Sequence, residues 1–221
     1  MKQSEKFPMT ILALEFSSER RSVALARAGA VLAEAVEQTG GRGTNAFGLI
    51  EKVLTDAKIA REEIEIVTVG LGPGSYTGIR AAIAVAQGWQ LARAVKLIGV
   101  SSAEAIAAQA QAQKILGRVN VVIDARRGEF YLATWEISAT GHSEVSPLKI
   151  VSGTEVEALR AAGEIIVGPE QATRLFPPAA RLAELTAGCA GFVTGDKLEP
   201  IYLRETSFVK APPAQNFSTP P

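Results

Sequence analysis

Gly70-Leu71-Gly72-Pro73-Gly74-Ser75-Tyr76-Thr77-Gly78-Ile79-Arg80 is the stretch that decides the fold, because an apolar run stops there at a glycine-rich elbow and a long alanine-rich helix begins. Residues 64–70 before it are β-branched and bounded by charge, which predicts a buried strand. Gly72 and Gly74 open backbone angles closed to other residues, and Pro73 fixes the turn between them. Ser75 or Thr77 can cap the helix by accepting a bond from an unpaired backbone N–H. Strand, elbow and helix together make an anion-binding geometry, since free N–H groups and the helix dipole point at the turn. No lysine follows as in a P-loop, and the glycine spacing is neither the Walker nor the dinucleotide pattern. A purely structural elbow is the plainer reading, a phosphate or substrate contact the sharper one.

Upstream of the elbow, residues 10–16 form an apolar run carrying Glu15, and alternating segments follow at 22–27 and 31–37, separated by a turn at Gly29. This predicts three antiparallel strands joined by short turns. Gly40-Gly41-Arg42-Gly43 breaks the sheet, and Thr44 or Asn45 caps a helix whose apolar face carries Phe47, Ile50, Val53 and Leu54. After the elbow the pattern predicts a helix from Tyr76 to about Arg93 and a strand over 96–100. A three-strand meander followed by alternating helix and strand implies a mixed sheet with helices packed on it. The elbow helix carries Gly78, Ala81, Ala82, Ala84, Ala86 and Gly88 and no charge between Arg80 and Arg93, so it is either sandwiched inside the domain or covered by a partner helix.

Ser101-Ser102-Ala103-Glu104 opens another alanine-rich helix, to about Lys114, in the style of a capping box. A second region then shows strands at 119–123 and 130–137 around the turn Asp124-Ala125-Arg126-Arg127-Gly128-Glu129, which reads as a charged hairpin tip or as a site at a strand end. Short strands at 149–151 and 164–167 flank a helix over 155–161, and Pro177-Pro178 opens the last helix at its first position. The expected organisation is a mobile leader over 1–9, an α/β domain over 10–110, a smaller domain over 111–211 and a disordered tail over 212–221.

With 221 residues, 47% hydrophobic and 21% charged, the composition is that of an ordinary globule. Its 23 basic and 23 acidic residues give no overall drive toward nucleic acid or anionic membrane. One cysteine, Cys189, rules out an internal disulfide and reads as a packed residue; one histidine, His142, reads as a surface residue and cannot build a His/Cys metal cluster. No run reaches the roughly 20 apolar residues of a membrane helix, and the polar start is unlike a signal peptide, so a cytoplasmic protein is expected.

Several of these stretches carry a resemblance. Ile11-Leu12-Ala13-Leu14-Glu15-Phe16-Ser17-Ser18 with Ser22-Val23-Ala24-Leu25, the elbow from Gly72 to Arg80, the 124–129 turn with Tyr131, and Pro200-Ile201-Tyr202-Leu203-Arg204 resemble the TsaB (YeaZ) family, over most of residues 10–204. The resemblance implies an α/β actin-like kinase fold (ribonuclease H-like, the ASKHA group) of two related small domains, the second abbreviated. It also implies a subunit of the bacterial machinery that makes threonylcarbamoyladenosine in tRNA. Such a subunit pairs with a catalytic paralogue, TsaD, and is joined by the P-loop ATPase TsaE. Contact with tRNA only through the complex and a homodimer when alone are the expectations for this chain, although the same apolar helix surface suits self-pairing and the paralogue equally. Two departures stand out: Glu15-Phe16-Ser17 replaces the family's Asp-Thr-Ser, and Gly41-Arg42-Gly43-Thr44-Asn45-Ala46 replaces a His-Ser-Glu segment.

The residues argue against catalysis on their own. An actin-like ATPase needs glycine-containing acidic turns where backbone meets phosphate and carboxylates hold the metal. Here Glu15-Phe16-Ser17-Ser18 lacks the glycine, and Asp124-Ala125-Arg126-Arg127 places arginine where backbone has to approach. The expectation is therefore no catalytic residue, no metal ligand set and no cofactor in the isolated protein, with ATP, ADP or metal entering only through partner subunits. A vestigial cleft would gather Glu15, Ser17, Ser18, Gly72, Pro73, Gly74, Ser75, Thr77, Gly78, Arg80, Asp124, Arg126 and Glu129. A partner interface would use Phe47, Ile50, Leu54, Tyr76, Ala81, Ala84, Ala86 and Gly88. The alternative is a free-standing kinase-like ATPase acting on a small molecule through Glu15, the elbow and Asp124.

Overall fold

The structure is a computed structural model that describes residues 9–38, 45–187, 189 and 191–203. The elements in chain order are β1 (Thr10–Glu15), β2 (Arg20–Arg27), β3 (Ala30–Gln38), α1 (Ala46–Ala57), β4 (Ile66–Gly70), α2 (Tyr76–Arg93), β5 (Lys96–Val100), α3 (Ser102–Ala112), β6 (Gly117–Arg126), β7 (Glu129–Ile137), β8 (His142–Ser152), α4 (Gly153–Ala161), β9 (Ile165–Gly168), β10 (Thr173–Arg174) and α5 (Ala179–Thr186). Leader residues 1–8, the 39–44 break with Thr44, Arg204 and the 212–221 tail lie outside the described residues.

Among the described residues two separate five-stranded sheets form, ordered β3-β2-β1-β4-β5 and β8-β7-β6-β9-β10. The orders are the same pattern twice: an antiparallel meander whose first strand also pairs in parallel with the fourth. Helix placement repeats as well, with α1 and α4 leading into the fourth strand and α3 and α5 following the fifth. Among the described residues α2 has no counterpart in the second half, because only residues 169–172 join β9 to a two-residue β10. This duplicated topology with a shortened second copy is the actin-like, ribonuclease H-like fold. It appears with no repeat in the sequence itself.

Burial follows from the layering. All six residues of β1 are buried, so both faces of the first sheet must be covered, and the unbroken apolar run Ile11-Leu12-Ala13-Leu14 between Thr10 and Glu15 is what that requires. One face, with Leu12, Leu14, Val23, Leu25, Val67, Val69 and Leu97, packs under α1 and α2. The other, with Ile11, Ala13, Ala24, Ala26, Ile66 and Ile98, packs on Ala179, Leu182 and Ala183 of α5. The helix α3 turns Ala103, Ile106, Ala107 and Ala110 to the second sheet, against Val119, Val121, Ile123, Ala133 and Trp135. Val156 of α4 covers that sheet's far side at Val122, Leu132 and Val151.

Several local expectations are corrected here. The helix α3, expected in the first domain, serves the core of the second sheet, whereas α5 and the chain after it, expected in the second, return to the first. Val193 pairs with Leu97, and the Ile201 N–H donates to the Leu71 carbonyl at 2.9 Å. The halves exchange their last helices, and local periodicity carries no trace of such an exchange. Pro178 sits at the N-cap of α5, one residue before the helix. No capping box forms at α3, because the Ser101 side chain makes no cap bond and the Ser102 hydroxyl is held by Glu15. Cys189 is exposed. His142 lies half-buried in β8, with Nδ1 2.9 Å from Gln111 Oε1 and its ring edge-on to Trp135. Among the described residues, no helix is long and apolar enough to cross a membrane.

Candidate functional site

The C-terminal ends of β1 and β6 come from equivalent positions of the two halves, and a cleft of about 780 Å³ opens between the turns that follow them. The first half lines it with Ser17, Ser18, Glu19, Arg21 and residues 73–77, the second with residues 123–126, Tyr131, residues 169–171 and Arg174. Ser17, Ser18, Pro73, Gly74, Ser75, Thr77, Asp124 and Arg126 are thus brought to one cavity. Glu15, Gly72, Gly78, Arg80 and Glu129 do not line it.

Glu15 lies behind the wall, with no solvent exposure. Its Oε1 accepts the Ser17 N–H at 2.7 Å and its Oε2 the Ser102 hydroxyl at 2.8 Å. Ser102 Oγ in turn accepts the Gly72 N–H at 3.1 Å, so one carboxyl joins the end of β1, the elbow and the start of α3. Burial pushes this carboxyl above its ordinary value, against the opposing pull of the Ser17 and Ser102 hydrogen bonds. Any side chain at Gly70 would overlap the Glu15 carboxylate, which explains a glycine at the end of a fully buried strand.

The elbow closes on itself. Its peptide Gly72–Pro73 is cis. The Ser75 N–H donates to the Ser17 carbonyl at 2.6 Å, and the Gly78 N–H to Ser75 Oγ, which makes Ser75 the helix cap. With the Gly72 amide bound to Ser102, three amides of the expected anion cradle already have acceptors inside the protein. Gly74 and Gly78 lie against the carbonyls of Ser17 and Phe16, leaving no room for a Cβ. Gly78→Ala is therefore expected to lower stability by about 1–3 kcal/mol, read as a lower urea midpoint with an unchanged denaturant slope.

The opposite wall is a hairpin tip with Arg126 and Arg127 at φ 67° and 60° and a bulge between Asp124 and Arg126. Asp124 Oδ1 accepts the Arg126 N–H at 2.7 Å, and Arg126 pairs with Oδ2 at 3.1 Å. Burial pushes the Glu170 carboxyl up, opposed by its bond from the Asp124 N–H. Arg174 forms an ion pair with Glu19 across the cleft, donates through Nε to the Pro169 carbonyl at 2.9 Å, and stacks over Phe176. Glu19, Arg21, Glu170 and Arg174 escaped the sequence reading; no motif marks them, since they meet only when the halves close.

The interface candidates divide sharply. Ile50, Leu54 and Ala86 belong to the chain's own core, so the expectation that they face a partner is corrected. Ala81 is half-buried. Phe47 on α1 is 71% exposed and Tyr76 54%, while Leu91, near the end of α2, is 89% exposed. Tyr76, Arg80, Ala84 and Gly88 are all exposed and recur every fourth residue, forming one ridge. A Cβ added at Gly88 would meet nothing, so the fold does not require glycine there. A glycine inside a helix nevertheless costs roughly 0.8–1 kcal/mol relative to alanine.

A family model described as TsaD, tRNA N6-adenosine threonylcarbamoyltransferase, matches residues 44–179. The tRNA threonylcarbamoyladenosine biosynthesis protein TsaB of Escherichia coli is 33% identical over 151 residues, 68% of this chain and 62% of that protein. TsaB of Bacillus subtilis is 30% identical over 129 residues, 58% of this chain and 56% of that protein. The matches thus span less than two thirds of either relative's length. The solved structure of YeaZ from Pseudomonas aeruginosa superposes with a TM-score of 0.73 at 24% identity, covering 88% of this chain and all of that one, which shows a shared fold. The family model, the sequence relatives and the duplicated two-sheet fold lead to one conclusion: this chain belongs to the TsaB (YeaZ) family, within the wider group that the TsaD model describes.

Proposed function

We propose that the protein is a non-catalytic subunit of a tRNA threonylcarbamoyladenosine transferase complex, which binds and activates a TsaD-like catalytic paralogue through the exposed faces of α1 and α2. The observation that carries this reading is the ridge at Arg80, Ala84 and Gly88, because its glycine weakens a helix whose own fold has no use for the space. Closer approach by a second helix is what a missing side chain allows. The inward-facing Glu15 supports the non-catalytic part: its carboxyl oxygens hold Ser17 and Ser102 instead of facing the cleft. In this reading ATP or ADP and any metal belong to partner subunits, a TsaE-like P-loop ATPase joins the assembly, and tRNA is met only through it. Alone, the protein pairs with itself through the same helices, in the cytoplasm. Mixing the purified chain with the TsaD-like protein of the same genome tests it, with a discrete heteromer in light scattering as the expected result.

The cleft itself favours a second reading, a free-standing kinase-like ATPase, since about 780 Å³ lined by acids and arginines is roomy enough for a nucleotide. Calorimetry with ATP and a phosphate-release assay separate the two. No turnover above background is expected from the isolated protein; turnover abolished by Asp124→Asn would establish the ATPase instead.

A further inference from the structure

Arg80 stands at one end of the exposed ridge of α2 and is held from two sides. Its guanidinium stacks over the Tyr76 ring, 4.5 Å from the centroid, and its Nε donates to the Tyr202 hydroxyl at 3.3 Å. The two tyrosine rings contact one another at 5.9 Å. Tyr202 is brought there by the returning chain, where the Ile201 N–H is fixed to the Leu71 carbonyl of the elbow. Among the described residues the terminal amino groups of Arg80 have no acceptor, so a guanidinium whose flexible stem is already restrained presents its outer edge to solvent. That edge is a planar two-donor fork, matched to a carboxylate.

A second copy of this chain offers no such group from the matching helix. The helix α2 contains no Asp or Glu anywhere along its length. The carboxylates of α1 are engaged at home, Glu51 with Arg61 and Asp56 with Lys52. A symmetric pair built on these helices therefore satisfies Arg80 only by giving up one of these ion pairs, whereas a different protein with an acidic residue on its facing helix satisfies it with no such exchange.

We propose that Arg80, positioned by Tyr76 and Tyr202, is a specificity determinant that pairs with a carboxylate of a non-identical partner and thereby favours the heteromer over self-association. The proposal rests on the partner reading given above and adds to it the chemistry of the contact.

The test compares wild type, Arg80→Gln and Tyr202→Phe for two properties: affinity for the TsaD-like protein of the same genome by calorimetry, and self-association by sedimentation equilibrium. Arg80→Gln is expected to weaken the heteromer at least about tenfold, with self-association unchanged or tightened. Tyr202→Phe keeps the ring and removes the hydroxyl, so a smaller loss is expected in the same direction. Wild-type affinity should also fall with added salt more steeply than that of Arg80→Gln. Equal weakening of both associations, or wild-type affinity in a folded Arg80→Gln, overturns the specificity role while leaving the partner reading intact. Failure of the wild type to bind the TsaD-like protein overturns both.

Discussion

Ala84→Glu is expected to weaken binding to a TsaD-like partner by a hundredfold or more, with circular dichroism and melting temperature close to those of wild type. Ala84 is exposed in the free chain, and surface changes of this kind usually alter stability by no more than about 0.5 kcal/mol. In a packed helix pair the same carboxylate is both too large and stripped of water. Arg80, one turn earlier on the same ridge, can pair with this carboxylate, but stripping the pair of water still costs several kcal/mol, and each 1.4 kcal/mol is about tenfold in affinity. Gly88→Ala provides the opposite combination. It removes the helix penalty, so the folded chain should gain up to about 1 kcal/mol, yet the added methyl intrudes on the partner and binding should weaken. A variant that is more stable and binds worse cannot be explained by damage to the fold. Ile50→Glu is the contrasting control, because Ile50 is 2% exposed and a charge there should unfold the protein outright. Normal binding by folded Ala84→Glu and Gly88→Ala would place the interface elsewhere.

The contrast between Phe47 and Ile50 shows what the sequence could convey. Helical spacing put both on one apolar face of α1, but Ile50 enters the core while Phe47 remains 71% exposed. Periodicity identifies a stripe and is silent about where the covering sheet ends. The elbow was legible for a related reason. Glycines at 72, 74 and 78 and a capping Ser75 are local requirements, written where they act. The meander of the first half was legible from its turns, and with the helices after it this fixed a mixed sheet. The exchange of α3 and α5 between the halves was not legible, since each is simply an alanine-rich helix until the facing sheet is known. The cleft followed the same division. Its floor at Ser17, Ser18, Asp124 and Arg126 lies at strand ends that pattern can find, while the Glu19 and Arg174 latch joins residues 155 apart. Glu15 stands out in the sequence as an altered phosphate-turn carboxylate, but nothing in the Ser101–Glu104 pattern, which reads as a capping box, marks Ser102 as its partner. The one available signal was Gly70, a glycine in an otherwise β-branched strand, which marks a close approach without naming what approaches.

That close approach leads to the largest expected effect on stability, at Glu15. Glu15→Ala leaves the Ser17 amide and the Ser102 hydroxyl without their acceptor in a site that had no solvent exposure. Lost hydrogen bonds cost about 1–3 kcal/mol per buried group, and the vacated volume adds to this, so a loss on the order of 3–5 kcal/mol is expected. The wild-type carboxyl has a folded-state pKa raised above its ordinary value of 4.5, chiefly by burial. The native state therefore holds this proton more tightly than the unfolded chain does. Its contribution is fully present below about pH 4.5 and is lost as pH rises through the raised folded value. Glu15→Gln is near in shape and does not titrate, so the stability difference between wild type and this variant should shift against wild type over that window. Urea unfolding of both proteins from pH 4.5 to 8 reads it out, and parallel curves would show that Glu15 titrates in the native state as an ordinary exposed acid. Gly70 completes the test. Gly70→Ala should be strongly destabilising with Glu15 present, because the new methyl overlaps the carboxylate. In the Glu15→Ala background the methyl enters the vacated space, so the second substitution should cost far less than the first-order sum. Strict additivity would mean that the glycine is required by the backbone and not by Glu15.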